Sequence, residues 1–185
     1  MTDPKAELAR ALALANETER KLAVTAALAS AIADLGVKPV IVGGLAVEYW
    51  TYGAYSTTDI DVLLPSSPEI SVRLGQLGFD RRGRHWVIEG EEMFLEAPGS
   101  FLKSREEAVD IDLGEGRTVS VLRPEDVLMY RLHEFVGTGH REAASQSVSL
   151  LQSEHLDPCD SSAAPPKRDS PDSIPGHPNR SRRHD

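Results

Sequence analysis

Asp59 and Asp61 stand one residue apart in an otherwise apolar run, Thr-Asp-Ile-Asp-Val-Leu-Leu at residues 58–64. Side chains alternate along a strand, so both aspartates point to one face while Ile60, Val62 and Leu64 point to the other. Two carboxylates on one face repel each other, and burial makes the repulsion worse. A divalent cation resolves this, and hard oxygen donors suit Mg2+ or Mn2+. The alternative is the solvated face of an edge strand, which Asp-Ile-Asp alone fits equally well. Upstream, Gly43-Gly44 follows Pro-Val-Ile-Val and precedes Leu-Ala-Val-Glu-Tyr-Trp. Glycines at a strand-to-helix junction let backbone N–H groups approach a phosphate, and a helix N-terminus favours its charge. Gly-Gly by itself is also an ordinary turn. Together the two features describe a phosphate cradle beside a metal pair.

The elements that must position these residues are legible in outline. Residues 5–35 are rich in Ala and Leu, a helix composition interrupted at 16–20, so two helices or one helix with a polar middle turn are expected. Gly36 is a natural stop. Residues 39–44 read as a buried strand, 45–53 as a short helix with Ala46, Trp50 and Tyr49 inward, and 58–64 as the second strand. Ser67 and Pro68 open a helix running to Leu77. Residues 78–89 read as a turn and a strand, 92–98 as another strand, and 105–122 as a hairpin turning at 114–116. Arg123-Pro124-Glu125-Asp126 opens a helix that Gly137-Thr138-Gly139 breaks, and a last helix covers 140–151. The predicted class is α/β (α+β), a mixed sheet with most helices outside it. The expected organisation is an N-terminal helical segment at 1–36, one domain at 37–156 and a disordered tail at 157–185. Half of the twelve prolines fall between 158 and 178, and that stretch has too few apolar residues to offset the entropy of ordering.

Bulk composition narrows the function classes. A net charge of −9 over 185 residues disfavours non-specific binding along a nucleic-acid backbone, although it leaves a local basic groove or a metal-bridged nucleotide open. Cys159 is the only cysteine, which excludes an intrachain disulfide and a cysteine-rich metal site and suits a reducing cytoplasm. The N-terminus lacks the pattern of a secretory signal, and no apolar stretch approaches the roughly 18 residues of a membrane span. No Ser–His–Asp set, Walker loop or zinc spacing is present.

Gly43-Gly44 followed by Thr57-Thr58-Asp59-Ile60-Asp61-Val62 resembles the signature of the polymerase-beta-like nucleotidyltransferase superfamily. Among its members the chain is most similar to minimal nucleotidyltransferases, antibiotic-modifying enzymes and abortive-infection toxins. The resemblance covers residues 37–64 closely and extends loosely to 151. It implies a nucleotidyltransferase-like sheet, two Mg2+ (or Mn2+) ions on Asp59 and Asp61, and a nucleoside triphosphate substrate contacted by Gly43, Gly44, Thr57 and Thr58. It implies transfer of a nucleoside monophosphate to a hydroxyl acceptor, whether small molecule, protein or tRNA. A catalytically weak nucleotide-binding relative, acting as a toxin–antitoxin component with a partner antitoxin, is the alternative. The chain departs from the pattern at Tyr55 and Ser56, where relatives often have an arginine. It also departs at Arg131, where a lysine is common, and at Gly139-His140-Arg141-Glu142, where Gly-Arg-x-Lys-Asp is common.

The same resemblance implies a third carboxylate on a neighbouring strand, as metal ligand or base. Glu96 is favoured by sequence order. Asp110 is the rival, then Asp112, and a solvated hairpin face is the ordinary reading of that second pair. Arg131 and Arg141 are candidates for neutralising phosphate charge. Among the aromatics, Trp50 and Tyr49 fit core packing better than base stacking, while Tyr52 and Tyr55 lie nearer the aspartates. His133 and His140 fit capping or packing better than ligand contact, and Cys159 is assigned no role.

Overall fold

A computed structural model describes residues 3–153 and 156. The expected tail at 157–185, with Cys159, lies outside the described residues. The N-terminal helical stretch is two helices, α1 (Pro4–Leu12) and α2 (Glu17–Ile32). The polar interruption is a helix start: Asn16 Oδ1 accepts from Glu19 N–H at 2.9 Å, a cap that favours a new helix over a continuous one. Helix α2 is buried on nearly its whole circumference, which places it inside the core rather than on the rim.

Seven strands form one mixed sheet: β1 (Val40–Ile41), β2 (Asp59–Leu63), β3 (Phe79–Arg82), β4 (His85–Ile88), β5 (Phe94–Gly99), β6 (Ala108–Asp112) and β7 (Thr118–Leu122). The order across the sheet is β3-β4-β5-β2-β1-β7-β6. Strand β2 lies antiparallel to β1 and parallel to β5, so it is central and never an edge. Helix α3 (Gly43–Trp50) joins β1 to β2. Helix α4 (Pro68–Leu77) begins where expected, with Ser67 Oγ accepting from Ile70 N–H. Helices α5 (Pro124–Thr138) and α6 (Arg141–Gln152) follow the sheet, and α3 packs on both.

Two expectations need correction. Residues 78–89 form a two-strand hairpin, β3 and β4, where one strand was expected; Arg82 and His85 pair across a turn containing Gly83. Three arginines in five residues hide the first of these strands from an apolar-pattern reading. Strand β5 starts two residues later than expected and runs one residue past Pro98, to Gly99. That proline is tolerated because the ladder with β4 runs only to Glu96, leaving no donor needed on that side beyond it.

The core is aliphatic. Ile60, Val62 and Leu64 are buried on one face of β2, with Ile41, Leu95 and Val121 from neighbouring strands and Val24, Leu28 and Ile32 from α2 in the same cluster. No described helix is long and apolar enough to cross a membrane.

Candidate active site

The aspartates lie on the half-buried face of β2, and the alternation there is complete from Asp59 to Leu63. Because β2 is central, the edge-strand explanation of Asp-Ile-Asp does not apply. Parallel pairing sets Asp61 directly opposite Glu96 on β5. Residues paired this way share a face, so three carboxylates converge on one patch of sheet. Burial pushes the Asp61 carboxyl above its ordinary range, and the charges of Asp59 and Glu96 push it further. The Gly44 N–H and the Arg131 guanidinium oppose that rise without cancelling it.

Gly43 explains the contact with α3. It has φ of +60°, a left-handed conformation that side chains disfavour. A Cβ there would lie 2.1 Å from Asp61 Oδ2. The glycine is therefore required twice, by its backbone and by the carboxylate seated against it. Gly44 has a milder constraint, since a Cβ would come within 3.1 Å of Thr57. Val42 N–H also donates to Asp61 O at 2.9 Å, fixing the approach of the helix start to the strand.

Thr57 and Thr58 support the same strand end. Thr57 Oγ1 accepts from Asp59 N–H at 3.2 Å, and Thr58 Oγ1 donates to Asp59 Oδ1 at 3.0 Å. Glu96 has two nitrogen-bearing neighbours: Arg84, on the β3–β4 turn, has Nε 3.4 Å from Oε1, and His85, at the start of β4, has Nδ1 3.4 Å from Oε2. Among the described residues no group of three or more His, Cys, Asp or Glu side chains is placed to hold a metal ion. By donor type and mutual repulsion, Asp59 and Asp61 fit a divalent cation. Glu96 stands beside them but is directed to Arg84 and His85.

Asp110 and Asp112 are elsewhere. They sit on β6, the far edge of the sheet, three strands from β2. Asp110 is engaged there by Lys38 Nζ at 2.6 and 2.7 Å and by Ser120 Oγ at 2.7 Å. The structure brings Glu96, and not Asp110, to the aspartate pair.

Helices α5 and α6 pack on α3 and carry Arg131 and Glu142. Arg131 stands close enough to Asp61 and Tyr55 to influence both. Its Nη1 donates to Glu134 at 2.8 Å, while its Nε is buried without a hydrogen-bond partner among the described residues. The Tyr55 hydroxyl is raised above its ordinary pKa by burial and by the carboxylate of Glu142. Trp50 is buried with its Nε1–H donating to Leu122 O at 2.7 Å, and Tyr49 packs edge-on against it, so both serve the core. Tyr52 and His133 are exposed, and His140 precedes α6 with Nδ1 3.5 Å from Glu134. Arg141 is exposed on the first turn of α6.

No protein-family model matches the chain, and no curated protein matches it. Among solved structures, the antibiotic-resistance factor ANT(2'')-Ia, described in solution with substrate-regulated conformation dynamics, is similar at a TM-score of 0.43. The likeness covers 67% of this chain and 80% of that one at 16% identity.

Sequence reading missed the groups behind the site. Lys21 and Glu48 form a buried ion pair, with side chains only 2% and 1% exposed and Nζ 2.6 Å from Oε2. Half of the signal was present: Glu48 is a lone charge in the apolar stretch at 45–50, whereas Lys21 follows the charged residues Glu17, Glu19 and Arg20 and does not stand out. Arg84, His85 and Glu142 were missed because their approach depends on the β3–β4 turn and on the packing of α6.

Proposed function

We propose that the chain is a divalent-metal-dependent nucleotidyltransferase, transferring a nucleoside monophosphate from a triphosphate to a hydroxyl acceptor. One observation carries the reading: Asp59 and Asp61 share a face of a central strand, and the Gly43-Gly44 start of α3 is fitted around the Asp61 carboxylate. A structural aspartate at that position has no need of a buried, mutually repelling neighbour. Mg2+ or Mn2+ held by the pair supplies charge neutralisation for the phosphates and acidity for the acceptor hydroxyl.

The chain's own groups have distinct tasks in this reading. Asp59 and Asp61 hold the cations. Glu96, released from Arg84 and His85, joins them or accepts the hydroxyl proton. The backbone of Gly43 and Gly44 approaches the terminal phosphates, with Thr57 and Thr58 beside it. Arg131 offers positive charge and an unused N–H donor. The acceptor oxygen bonds to the α-phosphorus, the bridging bond to the β-phosphate breaks, and pyrophosphate leaves. Positioning and charge stabilisation carry most of such chemistry.

A second reading has its own support. Glu96 faces Arg84 and His85 instead of completing a trio with the aspartates, which favours a nucleotide-binding relative of low activity, such as a toxin–antitoxin component. Wild type and Asp61→Asn are compared by Mn2+ titration and by transfer of label from nucleoside triphosphates to a panel of hydroxyl acceptors. Transfer by wild type alone supports the enzyme. Metal-dependent nucleotide binding without transfer supports the second reading. Equal Mn2+ binding by both proteins refutes the metal assignment.

A further inference from the structure

The buried Lys21–Glu48 pair does more than join α2 to α3. Lys21 Nζ also donates to Thr57 O at 2.5 Å, and Thr57 N–H donates to Glu48 Oε2 at 3.0 Å. Both backbone polar groups of one loop residue are thus held by the two members of one ion pair. Thr18 Oγ1 donates to the remaining Glu48 oxygen, so the carboxylate has bonds on both oxygens. The side chain of the clamped residue faces the site: Thr57 Oγ1 accepts the Asp59 N–H, and the Thr57 side chain closes against Gly44. Thr57 is consequently the joint between the aspartate strand and the glycine helix start, and the ion pair fixes that joint from behind.

A buried pair of this kind gains little net stability over apolar side chains of similar volume, because desolvating two charges offsets their attraction. Its geometry is what an apolar pair cannot reproduce, since only charged or polar atoms satisfy both the N–H and the C=O of Thr57. We infer that Lys21 and Glu48 are positioning residues that clamp Thr57 and thereby set the spacing of Asp59 and Asp61 from Gly43-Gly44. This inference rests on the metal-pair reading above for its functional consequence, but not for its structural one.

The test compares the full chain with Lys21→Met/Glu48→Leu, which keeps the site apolar and filled. It adds Lys21→Met/Glu48→Gln, whose amide oxygen still accepts from Thr57 N–H. Amide hydrogen exchange and Mn2+ titration are read on each, with the thermal midpoint as the control for folding. The expected result is a cooperative transition with a midpoint lowered by the unpaired Thr57 backbone groups, loss of exchange protection confined to residues 57 and 59, and Mn2+ affinity lower by about tenfold or more. The Gln variant falls between. Unchanged protection at 57 and 59 in the Leu variant, or protection in the Gln variant no higher than in the Leu variant, overturns the clamp. Lost protection with unchanged Mn2+ affinity leaves a structural strut and overturns the functional claim. If wild type itself binds no Mn2+, the metal reading fails, and amide exchange alone decides the clamp.

Discussion

Gly43→Ala is the most direct probe of how the helix start and the aspartate strand fit together. The φ of +60° costs a non-glycine residue about 1–2 kcal/mol. The added Cβ would also lie 2.1 Å from Asp61 Oδ2 and 2.8 Å from its Cγ, so the carboxylate has to move. Forcing a well-packed side chain aside costs about 1–3 kcal/mol more. The expected loss is the sum, about 2–5 kcal/mol, a large share of the stability of an ordinary domain. Asp61→Ala removes the two closest atoms and leaves the Asp61 Cβ, 2.9 Å from the new methyl. In that background the cost of Gly43→Ala should fall by about 1–2 kcal/mol, the coupling expected of residues in direct contact. Urea unfolding of the four proteins, followed through the fluorescence of Trp50 and Trp86, measures it. Additive effects would refute the packing argument, as would Gly43→Ala retaining wild-type Mn2+ affinity.

Two further outcomes follow from the charges. Asp61→Asn should melt above wild type in metal-free buffer at neutral pH, because folding then desolvates one charge fewer beside Asp59 and Glu96; Mg2+ should raise wild type alone, since a ligand binding only the folded state stabilises it. A higher midpoint for metal-free wild type would contradict the account of the patch. At Asp110, burial raises the carboxyl pKa, but the bonds from Lys38 and Ser120 outweigh it, so the value lies below the ordinary carboxylate range. A depressed folded pKa gives stability that is present above the unfolded value of about 3.9 and is lost as pH falls through the folded one. Lys38→Met should therefore cost stability at neutral pH and nothing in strong acid. The neutral-pH cost should stay within about 1 kcal/mol, because the side chains are 60% and 55% exposed. Urea midpoints at the two pH values check this, and a pH-independent difference would refute it.

What was legible in the sequence depended on how local each signal was. The alternation of Asp59 to Leu63 and the Ser67-Pro68 cap are set within a few residues, and both elements lie where they were expected. Asn16 decided between one helix and two by a hydrogen bond three residues long. The first strand of the β3–β4 hairpin was invisible because its pattern, Phe-Asp-Arg-Arg, buries only Phe79. Its strand character comes from pairing with β4, not from its own residues. Within the site, Glu96 could be ranked above Asp110 by chain order, but its register opposite Asp61 is a property of the sheet. Its engagement with Arg84 and His85 needed the hairpin that the sequence concealed.

The same contrast explains how the patch tolerates its own repulsion. Asp59, Asp61 and Glu96 raise one another's cost, yet each is met by a donor from a different element. Asp61 has the Gly44 N–H and the nearby Arg131, Asp59 has Thr58, and Glu96 has Arg84 and His85. None of these partners neutralises two carboxylates at once. The arrangement is satisfied one charge at a time, which keeps the protein folded while leaving the pair Asp59–Asp61 with an excess of negative charge. A cation bound as proposed would remove that excess in one step, and it would also relieve the Gly44 N–H of its task at Asp61. In the proposed reading metal and phosphate would be complementary occupants of one patch: the first would take the carboxylates, and the second the helix start that the carboxylate no longer needs.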